Sequence, residues 1–226
     1  MLGLIKKKNM RTERQKPFTE ANYVVVDTEL TGLDERRDSI ISIGAIKMHG
    51  GRIDMGNTFY RLVKPRTKIT KESIIVHEIT PSEVMGKQEI EKALHDFLLF
   101  CGQDIIVGHF TSIDLSFINR EAKRAYGSLI QNPVLDTFVI YEWLRTKKQI
   151  ACPRHYKLYE IAKCLGVPVN GAHNAIIDAF TTAQVFQRLI PMLVEAGIED
   201  IHDLLRVGNP LRGGDRLGVT GEISNF

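Results

Sequence analysis

Residues 23–29 read YVVVDTE, an apolar run of β-branched residues that ends in two carboxylates. Such a run predicts a buried strand, in which residues i and i+2 point to the same face. The side chains of Asp27 and Glu29 should therefore lie side by side, where burial and mutual repulsion destabilise them unless a cation lies between them. An isolated pair of this kind more often ends a strand in solvent, so further carboxylates must decide whether it binds metal.

Length and charge distribution predict one α/β domain with short extensions. The chain has 226 residues, 43% of them hydrophobic, and a net charge of only +3, which permits a polyanionic partner without indicating one. We expect a basic, mobile arm over 1–21, a domain over 22–206 and an irregular glycine-rich tail over 207–226. The apolar stretches are too short for a signal peptide or a membrane span, so the sequence predicts a cytoplasmic protein with no membrane partner.

The three cysteines, Cys101, Cys152 and Cys164, form no CxxC pair, and their odd number argues against a disulfide framework. They are predicted to be reduced packing residues. The alternative is a zinc site made by Cys152, Cys164, His155 and His173, but its spacing does not match common zinc motifs.

The pattern of elements predicts a mixed sheet covered by helices, with the first strand at its centre. The predicted strands are 23–26, 39–46, 57–63, 104–107 and 134–136. One helix should begin at Pro81, capped by Thr80, and continue through Leu98. The other predicted helices are 113–126, capped by Ser112, then 157–165, and 174–190, which Pro191 should end or kink.

Three further residues extend the carboxylate pair into a candidate site. Asp114 follows a strand by one turn, at the edge of an α/β sheet where ligands bind. His173 precedes Asp178 by five residues, which would place them about 140° apart on one helix. His173 should therefore lie in the loop before the helix, where Gly171 supplies flexibility, and from there it can reach an inward-facing Asp178.

Three segments together resemble the motifs of the DEDDh branch of 3′→5′ exonucleases, which includes polymerase III proofreading subunits, ribonuclease T and oligoribonucleases. They are residues 27–32 (DTELTG), 108–114 (GHFTSID) and 173–179 (HNAIIDA). The sister branch has tyrosine where this chain has Asn174, and the resemblance extends over about 23–193. It implies an α/β, ribonuclease H-like fold with a five-stranded sheet flanked by helices.

The resemblance also implies two-metal hydrolysis of phosphodiester bonds by Mg²⁺ or Mn²⁺. Asp27 would bridge both ions, Glu29 and Asp178 would complete the shell of one, and Asp114 would support the other. His173 would be the general base, a role that suits an imidazole, whose ordinary pKa is about 6.5. Substrate contacts are expected from Thr28, Leu30, Thr31, Gly32, His77, His109 and Phe110.

Three residues depart from the family pattern, and of these Leu30, where threonine is more usual, is expected to have a mild effect. Phe110 stands where relatives usually carry asparagine, and Ile113 where they carry an aromatic residue. The ring of Phe110 either stacks on a base or packs in the core. Arg154, His155 and Lys157 lie near the loop of His173 in sequence and are candidates for substrate contact.

The predicted function is release of nucleoside monophosphates from single-stranded 3′ ends of nucleic acid, with DNA in a proofreading or repair setting as the expected substrate. A DNA polymerase or repair protein is the expected partner. An RNA-directed exonuclease is the enzymatic alternative, because the contacts that read a 2′-hydroxyl are not fixed by these motifs. A nucleic-acid-binding module without turnover is the second alternative, against which the intact acidic residues argue.

Overall fold

The computed structural model describes residues 16–169, 171 and 173–210, and its centre is a five-stranded mixed sheet. The strands are β1 (Asn22–Leu30), β2 (Ile40–His49), β3 (Arg52–Leu62), β4 (Ile105–Gly108) and β5 (Val134–Asp136). Their order is β3-β2-β1-β4-β5, with β1–β2 and β2–β3 antiparallel and β1–β4 and β4–β5 parallel. The predicted mixed sheet with β1 at its centre is confirmed.

Eight α-helices connect and cover the strands within the described ranges, after a single 3-10 turn at Phe18–Glu20. They are α1 (Lys71–His77), α2 (Pro81–Val84), α3 (Ile90–Cys101), α4 (Thr111–Tyr126), α5 (Thr137–Thr146), α6 (Leu158–Cys164), α7 (Ala175–Glu195) and α8 (Ile201–Val207). The sequence patterns do not predict α1, α5 or α8.

The predicted continuous helix from Pro81 to Leu98 is wrong, because the chain breaks into α2 and α3. Met85 is extended and Gly86 has φ +76°, a left-handed conformation that glycine adopts at little cost. Gln88 then forms a parallel bridge with Val63, and its carbonyl accepts a hydrogen bond from the amide of Lys64. This pairing with a distant segment replaces the helical hydrogen bonds.

Two helix ends also differ from the prediction. α4 begins at Thr111 rather than after Ser112, because the carboxylate of Asp136 accepts the Thr111 amide at 2.9 Å. Pro191 lies within α7 rather than ending it. The next turn of that helix buries Leu193 completely, which offsets the hydrogen bond that proline cannot donate.

Residues near both predicted domain boundaries pack on the domain. Phe18, assigned to the mobile arm, is fully buried, and its carbonyl accepts a hydrogen bond from the Tyr23 hydroxyl at 2.6 Å. At the other end, the Gly208 carbonyl accepts the Asp136 amide at 2.8 Å. The remainder of the predicted arm, 1–15, and of the predicted tail, 211–226, lies outside the described residues.

Alternate residues of β1 face two hydrophobic cores, as period-two geometry requires. Tyr23 and Val25 pack with α5, α6 and α7, whereas Val24 and Val26 pack with α3 and α4. On the first of these faces Gly44 lies opposite Asp27, and a Cβ atom at Gly44 would stand 2.2–2.4 Å from main-chain atoms of Ala175 and Ile176. The first turn of α7 therefore rests directly on the main chain of β2.

Cys152 and Cys164 form a disulfide with Cα atoms 6.2 Å apart, so the prediction of reduced thiols is wrong for this pair. α6 brings Cys164 back beside Cys152, a proximity that a spacing of 12 residues does not reveal. The zinc alternative fails as well, since these two sulfurs are bonded to each other. Cys101 is free and buried, as expected.

No helix in the described parts of the chain is both long enough and apolar enough to cross a membrane.

Candidate active site

A cavity of about 590 Å³ opens where β1 and β4 end, and it brings together all five residues predicted to be catalytic. Asp27 and Glu29 reach it from β1, and Asp114 from the first turn of α4. Asp178 comes from the first turn of α7, and His173 precedes the Asn174 cap of that helix, as the five-residue spacing predicted. Three segments far apart in sequence thus converge on one site.

Three of the carboxylates form a group that fits a divalent cation. The oxygens of Asp27, Glu29 and Asp178 lie within 4.8 Å of one another. Glu29 is only 8% exposed, and its Oε1 atom is buried with no hydrogen-bond partner in the described structure. A buried carboxylate oxygen without a partner is costly, and hard cations such as Mg²⁺ and Mn²⁺ prefer oxygen ligands of this kind.

The raised pKa values of the cavity carboxylates also favour a cation site. Burial, followed by repulsion from neighbouring carboxylates, raises the pKa of Asp27 well above its ordinary value and that of Glu29 to about 8. Burial also raises the pKa of Asp114 to about 7, against the lowering effect of its hydrogen bonds with Thr28. Without a cation, these groups are therefore held together partly by remaining protonated.

Asp114 supports the end of β1 as well as facing the cavity. Its Oδ1 atom accepts hydrogen bonds from the amide and the hydroxyl of Thr28, at 3.0 and 2.5 Å. Asp114 is not part of the three-carboxylate group. The Thr28 hydroxyl and amide are thereby engaged within the protein.

His173 is exposed at the rim of the cavity, in a left-handed conformation with φ +59°. Its main-chain N–H donates to the hydroxyl of Tyr159 at 3.3 Å. The same hydroxyl donates a short hydrogen bond to Oδ1 of Asp178. Burial raises the pKa of Asp178 above its ordinary value. The hydrogen bond from Tyr159 and the nearby His173 oppose this rise only in part.

The two other histidines predicted to contact substrate differ in their surroundings. Both ring nitrogens of His109 have protein partners, Thr137 Oγ1 and the Tyr156 carbonyl, each at 2.9 Å, and burial lowers its pKa to about 4. These partners argue against a polar contact between His109 and substrate. His77 accepts the Ile79 amide through Nδ1 at 3.0 Å, so a neutral ring carries its hydrogen on Nε2, which has no partner in the described structure.

The turn after β1 is held by its own hydrogen bonds. The Thr31 amide donates to the Ser39 carbonyl at 2.9 Å, and its hydroxyl donates to Asp38 at 3.0 Å. The side chain of Asp38 also fills the space beside Gly32, where a Cβ atom would stand 2.5 Å from it. Leu30, Thr31 and Gly32 line the cavity, but the Thr31 groups are committed to the turn.

Phe110 lies on the cavity wall, half-buried, with its ring 4.6 Å from that of Phe138. Its conformation is left-handed, with φ +52° and ψ 42°. Asp136 stabilises this turn by accepting the amides of Phe110 and Thr111, at 3.3 and 2.9 Å. The ring thus both packs on the core and faces the cavity.

Several cavity residues were not found by sequence reasoning. Tyr159, Leu33 and Val76 line the cavity, as do Thr70, Glu72, Ser73 and Leu158. Of the basic candidates, Lys157 lines it, whereas Arg154 pairs with Glu142 at 3.1 Å and His155 approaches Glu160 at 3.7 Å. Tyr159 carries no motif signal in the sequence.

Comparison with known proteins decides the family. The RNase T profile, described as an exonuclease, matches residues 24–186, which contain all five converging residues. The chain belongs to this exonuclease family. The resemblance drawn from the three motifs is thereby confirmed.

This exonuclease is 34% identical over 189 residues to DNA polymerase III subunit epsilon of Aquifex aeolicus, covering 83% of the chain and 90% of that protein. It is also 34% identical over 187 residues to the PolC-type DNA polymerase III of Thermotoga maritima, but it spans only 13% of that much longer relative.

Solved structures confirm the ribonuclease H-like fold. Exonuclease I of E. coli, bound to a dT13 oligonucleotide, superposes with a TM-score of 0.66 at 18% identity, over 78% of this chain and 42% of that one. Exonuclease X, bound to duplex DNA with a 5′ overhang, superposes with a TM-score of 0.58 at 22% identity, over 81% of this chain and 99% of that one.

The left-handed conformation of Phe110 suits asparagine better than phenylalanine, since asparagine tolerates left-handed φ better than other non-glycine residues. Phe110→Asn should therefore melt about 2–4 °C above Phe110→Ala, corresponding to about 1 kcal/mol of backbone strain. Both variants remove the ring. If the ring stacks on a base, both should lose the same binding free energy for an oligonucleotide, about 1–3 kcal/mol. Thermal melts and oligonucleotide binding measure the two effects, and unchanged affinity in both variants would remove the stacking role.

The raised carboxylate pKa values predict an unusual pH dependence of stability. A carboxyl whose folded pKa exceeds its unfolded value stabilises the fold at low pH, and this contribution is lost as pH rises through the folded pKa. The folded pKa values are about 7 for Asp114 and about 8 for Glu29, so the loss extends from the ordinary carboxyl range near pH 4 up to about pH 8. The melting temperature in EDTA should therefore fall between about pH 5 and about pH 8 and level off above that pH.

Thermal melts with and without excess Mg²⁺ test this pH dependence. Mg²⁺ should restore stability most at the alkaline end, and Glu29→Gln should flatten the decline in EDTA. A metal-free melting temperature that rises over the same window would contradict the assignment.

Proposed function

We propose that this exonuclease is metal-dependent and removes nucleotides one at a time from the 3′ end of single-stranded DNA, releasing nucleoside monophosphates. The supporting observation is the convergence of four carboxylates and an exposed histidine on one cavity. Like charges that raise one another's pKa values are costly to the fold, and a cation-binding role accounts for that cost.

The proposed ligands are the four carboxylates. Asp27, Glu29 and Asp178 would hold one cation, and Asp27 would share a second with Asp114, either directly or through water. Because Asp114 uses Oδ1 to bind Thr28, its Oδ2 atom would face the second ion. Two bound divalent cations, Mg²⁺ or Mn²⁺, would activate the attacking water and neutralise charge on the leaving oxygen.

His173 is proposed as the general base, since it is exposed at the cavity rim and can take a proton from water held near the carboxylates. His77, with its hydrogen on Nε2, would donate to the terminal sugar or the phosphate. The main chain and side chains at Leu30, Thr31, Gly32 and Phe110 would line the place of the last nucleotides.

DNA is the proposed substrate because the epsilon relative, which this chain matches over 90% of its length, is named as a DNA polymerase III subunit. A DNA polymerase or a repair protein is the proposed partner, and a cytoplasmic location remains a prediction. RNA stays an alternative substrate, and a binding module without turnover stays an alternative function.

Single-stranded DNA and RNA oligonucleotides of one sequence, labelled at either end, test these proposals with Mg²⁺, Mn²⁺ or EDTA. A 3′-labelled DNA strand should release labelled mononucleotide at once, while a 5′-labelled strand should shorten to a ladder. A mismatched 3′ terminus on a duplex should be removed faster than a matched one. Faster loss of RNA would favour the alternative substrate, while activity in EDTA or internal cleavage would overturn the proposal.

A further inference from the structure

Tyr159 forms hydrogen bonds with two residues, Asp178 and His173, that have different roles in the proposed chemistry. It is the second residue of α6, its side chain is half-buried, and it lines the cavity. Its hydroxyl donates to Oδ1 of Asp178 on α7 and accepts the main-chain N–H of His173, at 3.3 Å. One donor and one acceptor are what a phenol offers, and here both are used.

The contact to His173 occurs where the chain needs support. His173 is a non-glycine residue with φ +59°, it is exposed, and it follows Gly171, with φ +80°. A residue in this conformation keeps one orientation only when surrounding contacts fix it. The ring of Tyr159 also lies edge-on to the His173 imidazole, with centroids 6.2 Å apart.

The hydrogen bond from the Tyr159 hydroxyl restricts the rotation of the Asp178 carboxylate group. Because Tyr159 occupies Oδ1, the rotation of the carboxylate relative to Asp27 and Glu29 is set by α6 as well as by α7. Groups that hydrogen-bond to metal ligands commonly change metal affinity or activity by about 10–100-fold when removed.

We propose that Tyr159 is a positioning residue of this exonuclease: through one hydroxyl it orients the Asp178 carboxylate and anchors the main chain of His173. The inference rests on the proposed function, because it assigns Asp178 to metal binding and His173 to proton transfer. Tyr159 itself takes no part in the proton transfer.

Tyr159→Phe removes the hydroxyl and keeps the ring. Tyr141→Phe is the matched control, because its hydroxyl donates to the Pro153 carbonyl at 3.0 Å and it lies outside the cavity lining. Tyr159→Phe should lower kcat about 10–100-fold with little change in KM, and should weaken Mn²⁺ binding measured by calorimetry. Tyr141→Phe should change neither kcat nor Mn²⁺ binding, whatever its effect on the melting temperature.

A double-mutant cycle with His173→Ala separates the two contacts. If Tyr159 acts partly through His173, removing its hydroxyl should cost less activity in the His173→Ala background than in the wild type. Equal kcat and Mn²⁺ affinity in Tyr159→Phe and wild type would overturn the inference, as would a purely additive cycle with unchanged Mn²⁺ binding. If the wild type binds Mn²⁺ but hydrolyses no oligonucleotide, the proposed function fails, and the Mn²⁺ affinity of Tyr159→Phe alone decides the contact with Asp178.

Discussion

Asp27→Asn should lower the rate of nucleotide release by at least about 10³-fold while the domain stays folded. The proposed ions share Asp27, and a catalytic cation contributes several kcal/mol of transition-state stabilisation. The same change removes one charge from a group of buried carboxylates that repel each other. In EDTA at pH 8 the variant should therefore melt at least about 2 °C above the wild type.

Single-turnover hydrolysis of a 5′-labelled DNA strand and thermal melts in EDTA measure the two effects. Asp54→Asn is the matched control, since Asp54 is exposed on β3 and an asparagine oxygen can still accept the Gly56 amide. Near-normal hydrolysis by Asp27→Asn would refute the two-metal assignment. A lower melting temperature in EDTA would show instead that Asp27 stabilises the fold.

His173→Ala should lower kcat by about 10²–10⁴-fold, the usual loss for a general base. A base must be unprotonated to accept a proton, so the wild-type rate should rise with pH on the acid side and the variant should lose this rise. Mn²⁺ affinity should stay unchanged, because the four carboxylates remain in place.

The exposed His202 offers a control, and His202→Ala should leave the rate unchanged. If His173→Ala abolishes Mn²⁺ binding, the histidine is a metal ligand. If it lowers neither rate nor affinity, another group removes the proton. His109 is a poor substitute because both of its nitrogens have protein partners.

Features that depend on local spacing could be predicted from the sequence. The apolar run before Asp27 predicted a central strand, and the spacing of five positions from His173 to Asp178 predicted a histidine just outside a helix. Both follow from the two- and 3.6-residue periods of regular backbone.

Features that depend on residues far away in the sequence could not be predicted. The helix predicted through Met85 breaks because Gln88 pairs with Val63, and the Cys152–Cys164 disulfide depends on the return path of α6. Tyr159 was missed for the same reason, since nothing in its neighbouring residues indicates that its hydroxyl meets Asp178.

The contact at Gly44 has a consequence for how this domain can vary. Gly44 lies opposite Asp27 on the neighbouring strand and touches the main chain at the start of α7, one turn from Asp178. Two backbones in contact, with no side chain between them, set the spacing of the strand and helix carboxylates. Position 44 therefore tolerates no side chain, because even a methyl group would push the helix and its carboxylate away from the sheet.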